Sequence, residues 1–345
     1  MTLADVARAA GVSSPTASLV LSGRGDELRI SQAVQERVRG TASELSYRPN
    51  IVSIGLRKGE TRTLGLVSDT VATSQLAGDM IKGAIEAARE HGFMLFIGET
   101  EGDPEVENAL LEAMHDRQVD GIILTSMFTR MRAVPTLLDR VPTVLLNALP
   151  TGPTTAASVI PDEIEAGRSA ARLLLEAGHR EIHLIGAGPE PHDMPPGTVA
   201  GIERLAGIRE VLGEAGLKPA SGHRLDSWLP PDGWRATREL LEKCPQPRAI
   251  ICFNDRLAFG SYQALQEAGL TIPDDVSVVS FDNYALAGWL RPGLSSFAIP
   301  HEQLGRRAIE LLLQAVHDGV STEPGHVHRY PLPLHSRGSV AARPA

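Results

Sequence analysis

A set of polar side chains stands at or just behind short apolar runs, at the places where buried β-strands would end. In an open α/β sheet, ligands bind outside the carboxyl ends of the strands. These positions therefore predict a ligand site that is built from strand ends. The residues selected in this way are Ser68, Asp69, Thr125, Ser126, Asn147, Asp255 and Asp282.

Motifs that carry enzymatic chemistry are missing from the sequence. Neither the nucleophile elbow G-x-S-x-G nor the phosphate loop G-x-x-x-x-G-K-S/T occurs. Gly186-Ala187-Gly188 follows an apolar run, but it is only a fragment of a dinucleotide-binding fingerprint. We therefore expect no enzymatic activity and no cofactor, and an enzyme on a doubly wound fold is the disfavoured alternative.

The residues that could ligate a metal are scattered along the sequence. The two cysteines, Cys244 and Cys252, give neither a disulfide framework nor a paired metal-binding spacing. His326 and His328 alternate as they would in an exposed strand, and no third ligand stands near them in the sequence. The sequence therefore predicts no metal site.

Strands and helices alternate from Thr63 onward. This alternation implies parallel sheets with right-handed crossover connections, and the number of units suits two similar lobes better than one small sheet. The apolar runs lie at 64–67, 94–97, 122–124, 144–146, 182–185, 250–252 and 276–279. The helical stretches are expected at about 79–91, 104–118, 162–178, 200–215, 234–243 and 255–268.

The first sixty residues have a different pattern, typical of short amphipathic helices. Thr2 and Asp5 have the spacing of a capping box before the first helix. Gly11 is suited to end that helix, Ser13 to cap a second one, and a third begins near Ser31. Three helices with a glycine-containing turn between the first two predict a helix-turn-helix domain.

Composition and charge agree with this division. A chain of 345 residues exceeds one compact core, so we expect two or three domains. The net charge of −9 argues against a nucleic-acid partner, but the first sixty residues hold eight basic against six acidic side chains. No apolar run is long enough to cross a membrane, and the N-terminus lacks a secretory pattern. We therefore expect a cytoplasmic protein with a basic head on an acidic body.

Four short segments at the N-terminus resemble the lactose-repressor (LacI/GalR) family of bacterial transcription regulators. They are Thr2-Leu3-Ala4-Asp5-Val6-Ala7, Ala10-Gly11-Val12-Ser13, Thr16-Ala17-Ser18 and Tyr47-Arg48-Pro49-Asn50. The resemblance runs to about Ala341 and implies an all-α helix-turn-helix DNA-binding domain at 1–49, a hinge segment at 50–62, and an α/β two-lobed, periplasmic-binding-protein-like (type I) domain for effector binding and dimerisation at 63–345. The lobes are expected at about 63–160 plus 293–322 and about 161–292 plus 323–341.

The resemblance also implies which residues contact double-stranded DNA. Ser14, Pro15 and Leu19 correspond to the positions that face base edges, and two of these three side chains are apolar, so base readout is expected to rely partly on the following loop and on DNA shape. Leu56 corresponds to a hinge leucine that wedges into the minor groove. The other expected contacts are Ser13, Thr16, Ser18, Arg24, Arg29, Tyr47 and Asn50.

Arg204 and Asp282 are the effector contacts that the resemblance supports best. Carboxylates, a guanidinium and a tryptophan face together suit a polyol such as a sugar. Two alternatives stay open, namely Asp255 as a helix cap and Trp228 as a core residue. The weaker candidates are Asp69, Thr125, Ser126, Asn147, Asp162, Trp228, Asn254 and Asp255.

These features together predict a homodimeric transcriptional repressor that binds a near-palindromic operator and is controlled allosterically by a small, sugar-like effector. The segment Ser336–Ala345 shows no heptads, so a dimer is expected rather than a larger assembly. The alternative is a cytoplasmic sugar sensor that acts through a protein partner.

Overall fold

The computed structural model describes residues 1–47, 60–72, 74, 78–318 and 325–343. The chain divides into two compact units, a head at Met1–Arg62 and a body at Thr63–Ala345. Most of the predicted hinge segment, including Asn50 and Leu56, lies outside the described residues.

The described part of the head contains three helices, α1 (Leu3–Ala9), α2 (Ser14–Leu21) and α3 (Gln32–Glu44). The predicted capping box at α1 is present, since Thr2 Oγ1 accepts from the Asp5 backbone N–H and the Asp5 side chain accepts from the Thr2 N–H. The small core that holds the helices together consists of Ala7, Ala10, Ala17, Val20 and Val38.

The body contains two six-stranded sheets, and helices connect most of their strands. Its strands are β1 (Thr63–Ser68), β2 (Met94–Glu99), β3 (Gly121–Arg132), β4 (Thr143–Pro150), β5 (Ala157–Pro161), β6 (Ile182–Gly186), β7 (Ser221–Arg224), β8 (Ala249–Cys252), β9 (Ser277–Asp282), β10 (Ser295–Ala298), β11 (Val327–Tyr330) and β12 (Leu334–His335). Its helices are α4 (Gly78–Glu90), α5 (Pro104–Asp116), α6 (Glu163–Glu176), α7 (Val199–Glu214), α8 (Pro230–Lys243), α9 (Asp255–Glu267), α10 (Ala285–Trp289) and α11 (His301–Asp318), with a 3-10 turn at Thr136–Leu138.

Each sheet forms the centre of one lobe. The first has the strand order β11-β5-β4-β3-β1-β2 and is parallel throughout. The second has the order β12-β10-β9-β8-β6-β7, and only β12 runs antiparallel, against β10. The predicted fold class, a helix-turn-helix head with a two-lobed α/β body, is confirmed.

The lobe boundaries expected from the sequence are wrong at the C-terminal end. Strand β10 belongs to the second sheet, because Phe297 pairs with Phe281 of β9, and the chain returns to the first lobe only after Ala298. Strand β11 belongs to the first sheet, where it pairs with β5. Three segments therefore cross between the lobes, after Pro161, after Ala298 and after Tyr330.

Helix α11 was not among the helical stretches expected from the sequence. It packs in the first lobe against α4, and small residues let the two backbones approach. A Cβ on Gly83 would lie 2.1 Å from the Glu302 carbonyl oxygen, and one on Gly305 would lie 2.0 Å from the Met80 carbonyl oxygen. In the described part of the chain, none of the helices has the length and apolar content needed to cross a membrane.

Candidate functional site

A cavity of about 770 Å³ lies in the body and is lined by residues of both lobes. It lies near the carboxyl ends of strands, for example beyond β9, where ligands of open α/β sheets bind. The predicted effector residues that line it are Asn147, Arg204, Trp228, Asn254 and Asp282.

The centre of the cavity wall is a buried ion pair between Arg204 of α7 and Glu163 of α6. Arg204 Nε lies 2.6 Å from Glu163 Oε2, and Nη2 lies 2.9 Å from Oε1, with side-chain exposures of 3% and 1%. Arg204 Nη1 also donates to the Phe253 carbonyl oxygen at 2.6 Å. Three of the five N–H groups of Arg204 are thereby occupied, which leaves two for other acceptors.

Glu163 was not predicted from the sequence. It is the first residue of α6, and the helix N-terminus favours a carboxylate there. Its pairing with Arg204 depends on close contact of α6 with α7, because a Cβ on Gly167 would lie 2.2 Å from the Arg204 carbonyl oxygen. No sequence pattern near Glu163 predicts this contact between the two helices.

Asp282 lies at the end of β9 beside this pair. Its Oδ1 is 3.7 Å from Arg204 Nη2, and its side chain keeps 20% exposure. Its φ of 99° is in a region that favours glycine, so the carboxylate is held in place at a cost in backbone strain. Burial raises the pKa of Asp282 to about 7, although the Arg204 guanidinium opposes the rise.

Three buried nitrogens of residues in the cavity wall have no hydrogen-bond partner among the described residues. They are Trp228 Nε1, Arg256 Nε and His301 Nδ1. Burial lowers the pKa of His301 to about 4, so its imidazole is neutral near pH 7. A buried donor without a partner is costly, and the oxygens of a bound molecule would remove that cost. Arg256 and His301 were not predicted from the sequence.

Asn147 and Asn254 line the cavity, and they also hold its wall together. The Asn147 amide donates to the Met127 carbonyl oxygen at 3.0 Å and accepts from Thr129 Oγ1 at 2.7 Å. Asn254 caps α9 and donates to the Trp228 carbonyl oxygen at 3.2 Å.

The remaining predicted effector residues do not line the cavity. In the first lobe, Asp69 accepts from the Met127 backbone N–H at 3.0 Å and pairs with Arg130. Ser126 Oγ accepts from Arg130 Nε at 3.2 Å, and Thr125 Oγ1 lies 3.5 Å from the sulfur of Met80. The polar atoms of these three side chains therefore make their contacts within the first lobe.

Asp162 and Asp255 also make structural contacts. Asp162 caps α6 by accepting from the Glu165 N–H at 3.2 Å. Asp255 accepts from Ser296 Oγ and from the Tyr284 N–H, both at 2.7 Å. Burial raises the pKa of Asp255 to about 6. The cap that the sequence left open for Asp255 is made by Asn254, while Asp255 joins β10 to the segment after β9.

Carboxylates outnumber guanidinium groups in the cavity wall. The arginines are Arg204, which Glu163 neutralises, and Arg256. The acidic residues are Asp79, Glu163, Asp226, Asp282 and Glu302, of which Asp226 pairs with Arg224 and Glu302 with Lys82. Asp79 and Asp282 then stand against Arg256, and such a wall favours a neutral ligand that can donate hydrogen bonds to carboxylates.

In the head, the predicted DNA-reading residues lie on the face of α2 that is turned away from the core. Ala17 and Val20 are buried, whereas Ser14 and Pro15 are exposed and Leu19 is half-buried. Ser13 caps α2, with Oγ 3.2 Å from the Thr16 N–H and 2.8 Å from Thr16 Oγ1. Ser18 and Tyr47 are half-buried.

The loop after α2 is held by Gln35, which was not predicted from the sequence. The buried Gln35 amide donates to Asp26 Oδ1 at 2.8 Å and to the Ile30 carbonyl oxygen at 2.9 Å. Arg24 and Arg29 are exposed on this loop. Gln35 thereby holds the loop that carries Arg29 and Arg24, and Arg24 pairs with Glu27 at 2.9 Å.

A helix-turn-helix head on a body with a polar cavity between two lobes defines a class of protein, the ligand-responsive transcription regulators. Comparison with known proteins places the chain within this class. Residues 2–50 match the model for bacterial regulatory proteins of the lacI family, and residues 171–340 match the periplasmic binding protein-like domain.

Relatives and solved structures match over nearly the whole chain. The ribose operon repressor of Escherichia coli strain K12 is 31% identical over 91% of this chain and 93% of its own length. The transcriptional repressor PurR of Vibrio atlanticus strain LGP32 is 30% identical, with 92% of each chain covered. The chain belongs to the lacI family of bacterial transcription regulators.

Two solved structures agree with this assignment. The lac repressor dimer bound to operator and the anti-inducer ONPF has a TM-score of 0.83 with 24% identity and 99% of each chain covered, which is a likeness of fold. The complex of the transcriptional regulator CelR with cellobiose has a TM-score of 0.67 with 30% identity, and 98% of this chain and 99% of that chain are covered.

Proposed function

We propose that this chain is a homodimeric repressor that binds a near-palindromic operator, and that a neutral, hydroxyl-rich molecule in the body cavity controls its affinity for DNA. It would act in the cytoplasm and catalyse no reaction. The observation that carries the effector class is the cavity wall, where unpartnered nitrogens of Trp228, Arg256 and His301 accompany an excess of carboxylates.

A sugar can satisfy both the hydrogen-bond acceptors and the hydrogen-bond donors of that wall. Its hydroxyl groups donate to Asp282, and its oxygens accept from Trp228 Nε1, from Arg256 Nε and from the two remaining N–H groups of Arg204. His301 Nδ1 accepts from a hydroxyl or donates to one according to its tautomer. The ring of Trp228, which packs edge-on against Phe253 at 5.8 Å, offers an apolar surface. Relatives named for ribose and a solved complex with cellobiose support this class of ligand.

Operator binding is assigned to α2 and the loop behind it. Two heads that are related by a dimer axis would read two half-sites, which explains the near-palindromic operator. Ser14, Pro15 and Leu19 face base edges, and Ser13, Thr16, Ser18, Arg24, Arg29 and Tyr47 are assigned to the backbone or the groove edge. The solved lac repressor structure is a dimer bound to operator, which supports this arrangement.

The dimer surface is assigned to the free edge of the first sheet. Strand β2 is an edge strand whose Met94, Phe96 and Ile97 are 62%, 38% and 40% exposed, and Ile85 on the neighbouring α4 is 44% exposed. Exposed edge strands with apolar side chains are sites of pairing with another chain. Effector binding would change how the lobes meet and thereby the spacing of the two heads, provided that the effector prefers one of the two states.

The experiment joins ligand binding to DNA binding. Full-length protein is screened by thermal shift against neutral sugars and sugar phosphates, and each hit is added to a gel shift on the DNA upstream of its own gene. We expect a neutral sugar to stabilise the protein by about 2.7 kcal/mol at a hundredfold its dissociation constant and to change the operator affinity.

Arg256→Gln tests the cavity, and the exposed Arg140→Gln in the first lobe is its control. The first variant should weaken the sugar response at least about tenfold, since a buried hydrogen bond to a charged group contributes about 1.5–3 kcal/mol, and the second should leave it intact. Stabilisation by sugar phosphates alone would contradict the effector class. A sugar that binds without any effect on DNA binding would instead favour a sensor that acts through a protein partner.

A further inference from the structure

A second cluster of chemically active side chains lies in the second lobe, at the opposite end of β6 from the cavity. It consists of Glu181, directly before β6, His183, the second residue of that strand, and Cys244, which ends α8. Glu181 and Cys244 are 63 positions apart in the sequence. The effector mechanism uses none of the three residues.

The three side chains converge on one point. His183 Nε2 lies 3.3 Å from Glu181 Oε1, Cys244 Sγ lies 3.7 Å from the same oxygen, and all three ligand atoms are within 4.8 Å of one another. Ligands of a tetrahedral zinc ion, with bonds of about 2.0–2.3 Å, are separated by about 3.3–3.7 Å. The first two separations therefore match those around a metal ion.

The histidine adds a second observation. His183 is buried, and its Nε2 has no well-aligned hydrogen bond to a described residue; its polar neighbour is Glu181 Oε1 at 3.3 Å, which also accepts from the Cys244 thiol. Its Nδ1 lies 2.8 Å from Ser221 Oγ on β7. If the proton sits on Nδ1 and is donated to Ser221, the Nε2 lone pair points into the cluster, as in metal sites where a second group fixes the tautomer.

We propose that Glu181, His183 and Cys244 form a binding site for one divalent transition-metal ion of the zinc type. A thiolate with an imidazole and a carboxylate selects such an ion over magnesium or calcium. On binding, the Cys244 thiol releases its proton to solvent as the sulfur–metal bond forms, and the thiolate and carboxylate together balance the charge of the ion. Glu181 is about half exposed and Cys244 partly exposed, which leaves the fourth position to water.

The metal would join the end of α8 to the start of β6. It would therefore stabilise the second lobe, and its binding would weaken at low pH because the thiol and the imidazole must both be deprotonated. Ser221 acts as a positioning residue, since its Oγ lies 2.8 Å from His183 Nδ1, the ring nitrogen outside the cluster.

Cobalt(II) added to the metal-free, reduced full-length chain tests the site. We expect one ion per chain, with a thiolate-to-cobalt charge-transfer band and the intense visible bands of four-coordination. Cys244→Ser and His183→Gln should remove the charge-transfer band or weaken binding by more than about a hundredfold, and Ser221→Ala should weaken binding about 10–100-fold. Zinc should raise the melting temperature of the unmodified chain and not that of Cys244→Ser.

Two control variants test whether the cobalt band arises from the three proposed ligands. Cys252→Ala removes the only other thiol, which is buried among core residues, and should leave the band unchanged. A chain with both His326→Gln and His328→Gln should also keep it. Three outcomes would overturn the proposal. The thiolate band could be absent, or it could survive in Cys244→Ser. It could also be lost in the double histidine variant while His183→Gln retains it. None of these measurements requires DNA or effector, so their outcome is separate from that of the repressor function.

Discussion

At the scale of single residues, the cavity wall contains buried charged groups that leave part of their hydrogen-bonding capacity unfilled. The Arg204–Glu163 pair is shielded from solvent, so its attraction is largely offset by the cost of desolvating both groups. Its effect is to fix the guanidinium, with two N–H groups remaining and Asp282 at 3.7 Å. We therefore expect the pair to serve ligand recognition more than stability.

Removing one partner of this pair should lower the stability of the folded protein strongly. Glu163→Gln removes the carboxylate in direct contact with the buried Arg204 and leaves only Asp282 at 3.7 Å, and we expect a loss of about 3–5 kcal/mol in the free energy of unfolding. The matched control is Glu165→Gln on the same helix, where the pairs with Arg168 and Arg172 are screened by solvent and should contribute little. Urea unfolding of the isolated variants measures both, and equal losses would contradict the special role of Glu163.

Asp282 should make the stability of the body depend on pH. Its pKa is raised from 3.8 to about 7 in the folded protein, so the folded state retains a proton that the unfolded state has already lost. Stability from this group is fully present below about pH 4 and is lost as the pH rises to about 7, where the dependence levels off. Asp282→Asn should reduce this decline, although Asp255, with a pKa raised to about 6, retains part of it.

Thermal unfolding of the ligand-free chain across that pH range measures the effect. The variant should be more stable than the unmodified chain near pH 7, because an amide is cheaper to bury than a carboxylate. Parallel curves for the two proteins would show that Asp282 does not hold its proton in the folded state.

At the scale of elements, the head separates its core from its DNA-facing surface. Helix α2 buries Ala17 and Val20 and leaves an apolar and hydroxyl-bearing face exposed, which offers few base-specific hydrogen bonds. The loop that Gln35 anchors places Arg24 and Arg29 beside it. Phosphate contacts from the loop are therefore expected to contribute much of the affinity.

Arg24→Ala together with Arg29→Ala should weaken binding to the operator and to unrelated DNA by similar factors. Each lost phosphate contact should lower the slope of log affinity against log salt by about 1, so the double variant should lose about 2. Fluorescence anisotropy over a salt series gives the slope. Arg140→Ala, an exposed arginine of the body, should leave it unchanged, and an unchanged slope in the double variant would remove the loop from the interface.

At the scale of the whole molecule, two heads must act together, because the head itself carries little net positive charge. The first sixty residues hold eight basic and six acidic side chains, while the rest of the chain holds 25 basic and 36 acidic ones. One head alone would attract DNA weakly, and linking two heads raises the effective affinity. The exposed edge of β2 is the surface to which we assign that link.

Met94→Glu combined with Phe96→Glu should separate the dimer, since it places charges on a surface that we expect to be buried. We expect the mass of one chain at micromolar concentration in light scattering, and an operator affinity at least about a hundredfold weaker from the lost linkage. Lys218→Glu, which changes an exposed charged side chain in the second lobe, is the control and should remain dimeric. A double variant with the mass of two chains would place the dimer contact elsewhere.

Local interactions made much of this protein predictable from its sequence alone. The capping box of Thr2 and Asp5 and the cap at Ser13 marked the first two helices, because a cap is formed by residues three positions apart. Alternating apolar runs and helices implied two parallel sheets, and the strand-end rule located Asn147 and Asp282 at the cavity. The sequence by itself thus determined the class of fold and the general place of the site.

Only the tertiary structure decided which residues meet. Glu163, Arg256 and His301 enter the cavity wall from different helices, and β10 and β11 take their places through pairing with strands distant in the sequence. The same holds for Glu181 and Cys244, which no spacing in the sequence connects. The physical reason is the sequence distance over which each interaction acts. Caps and periodicity are set by neighbouring residues, whereas strand pairing, helix contact and buried charge depend on groups that approach only when the chain has folded.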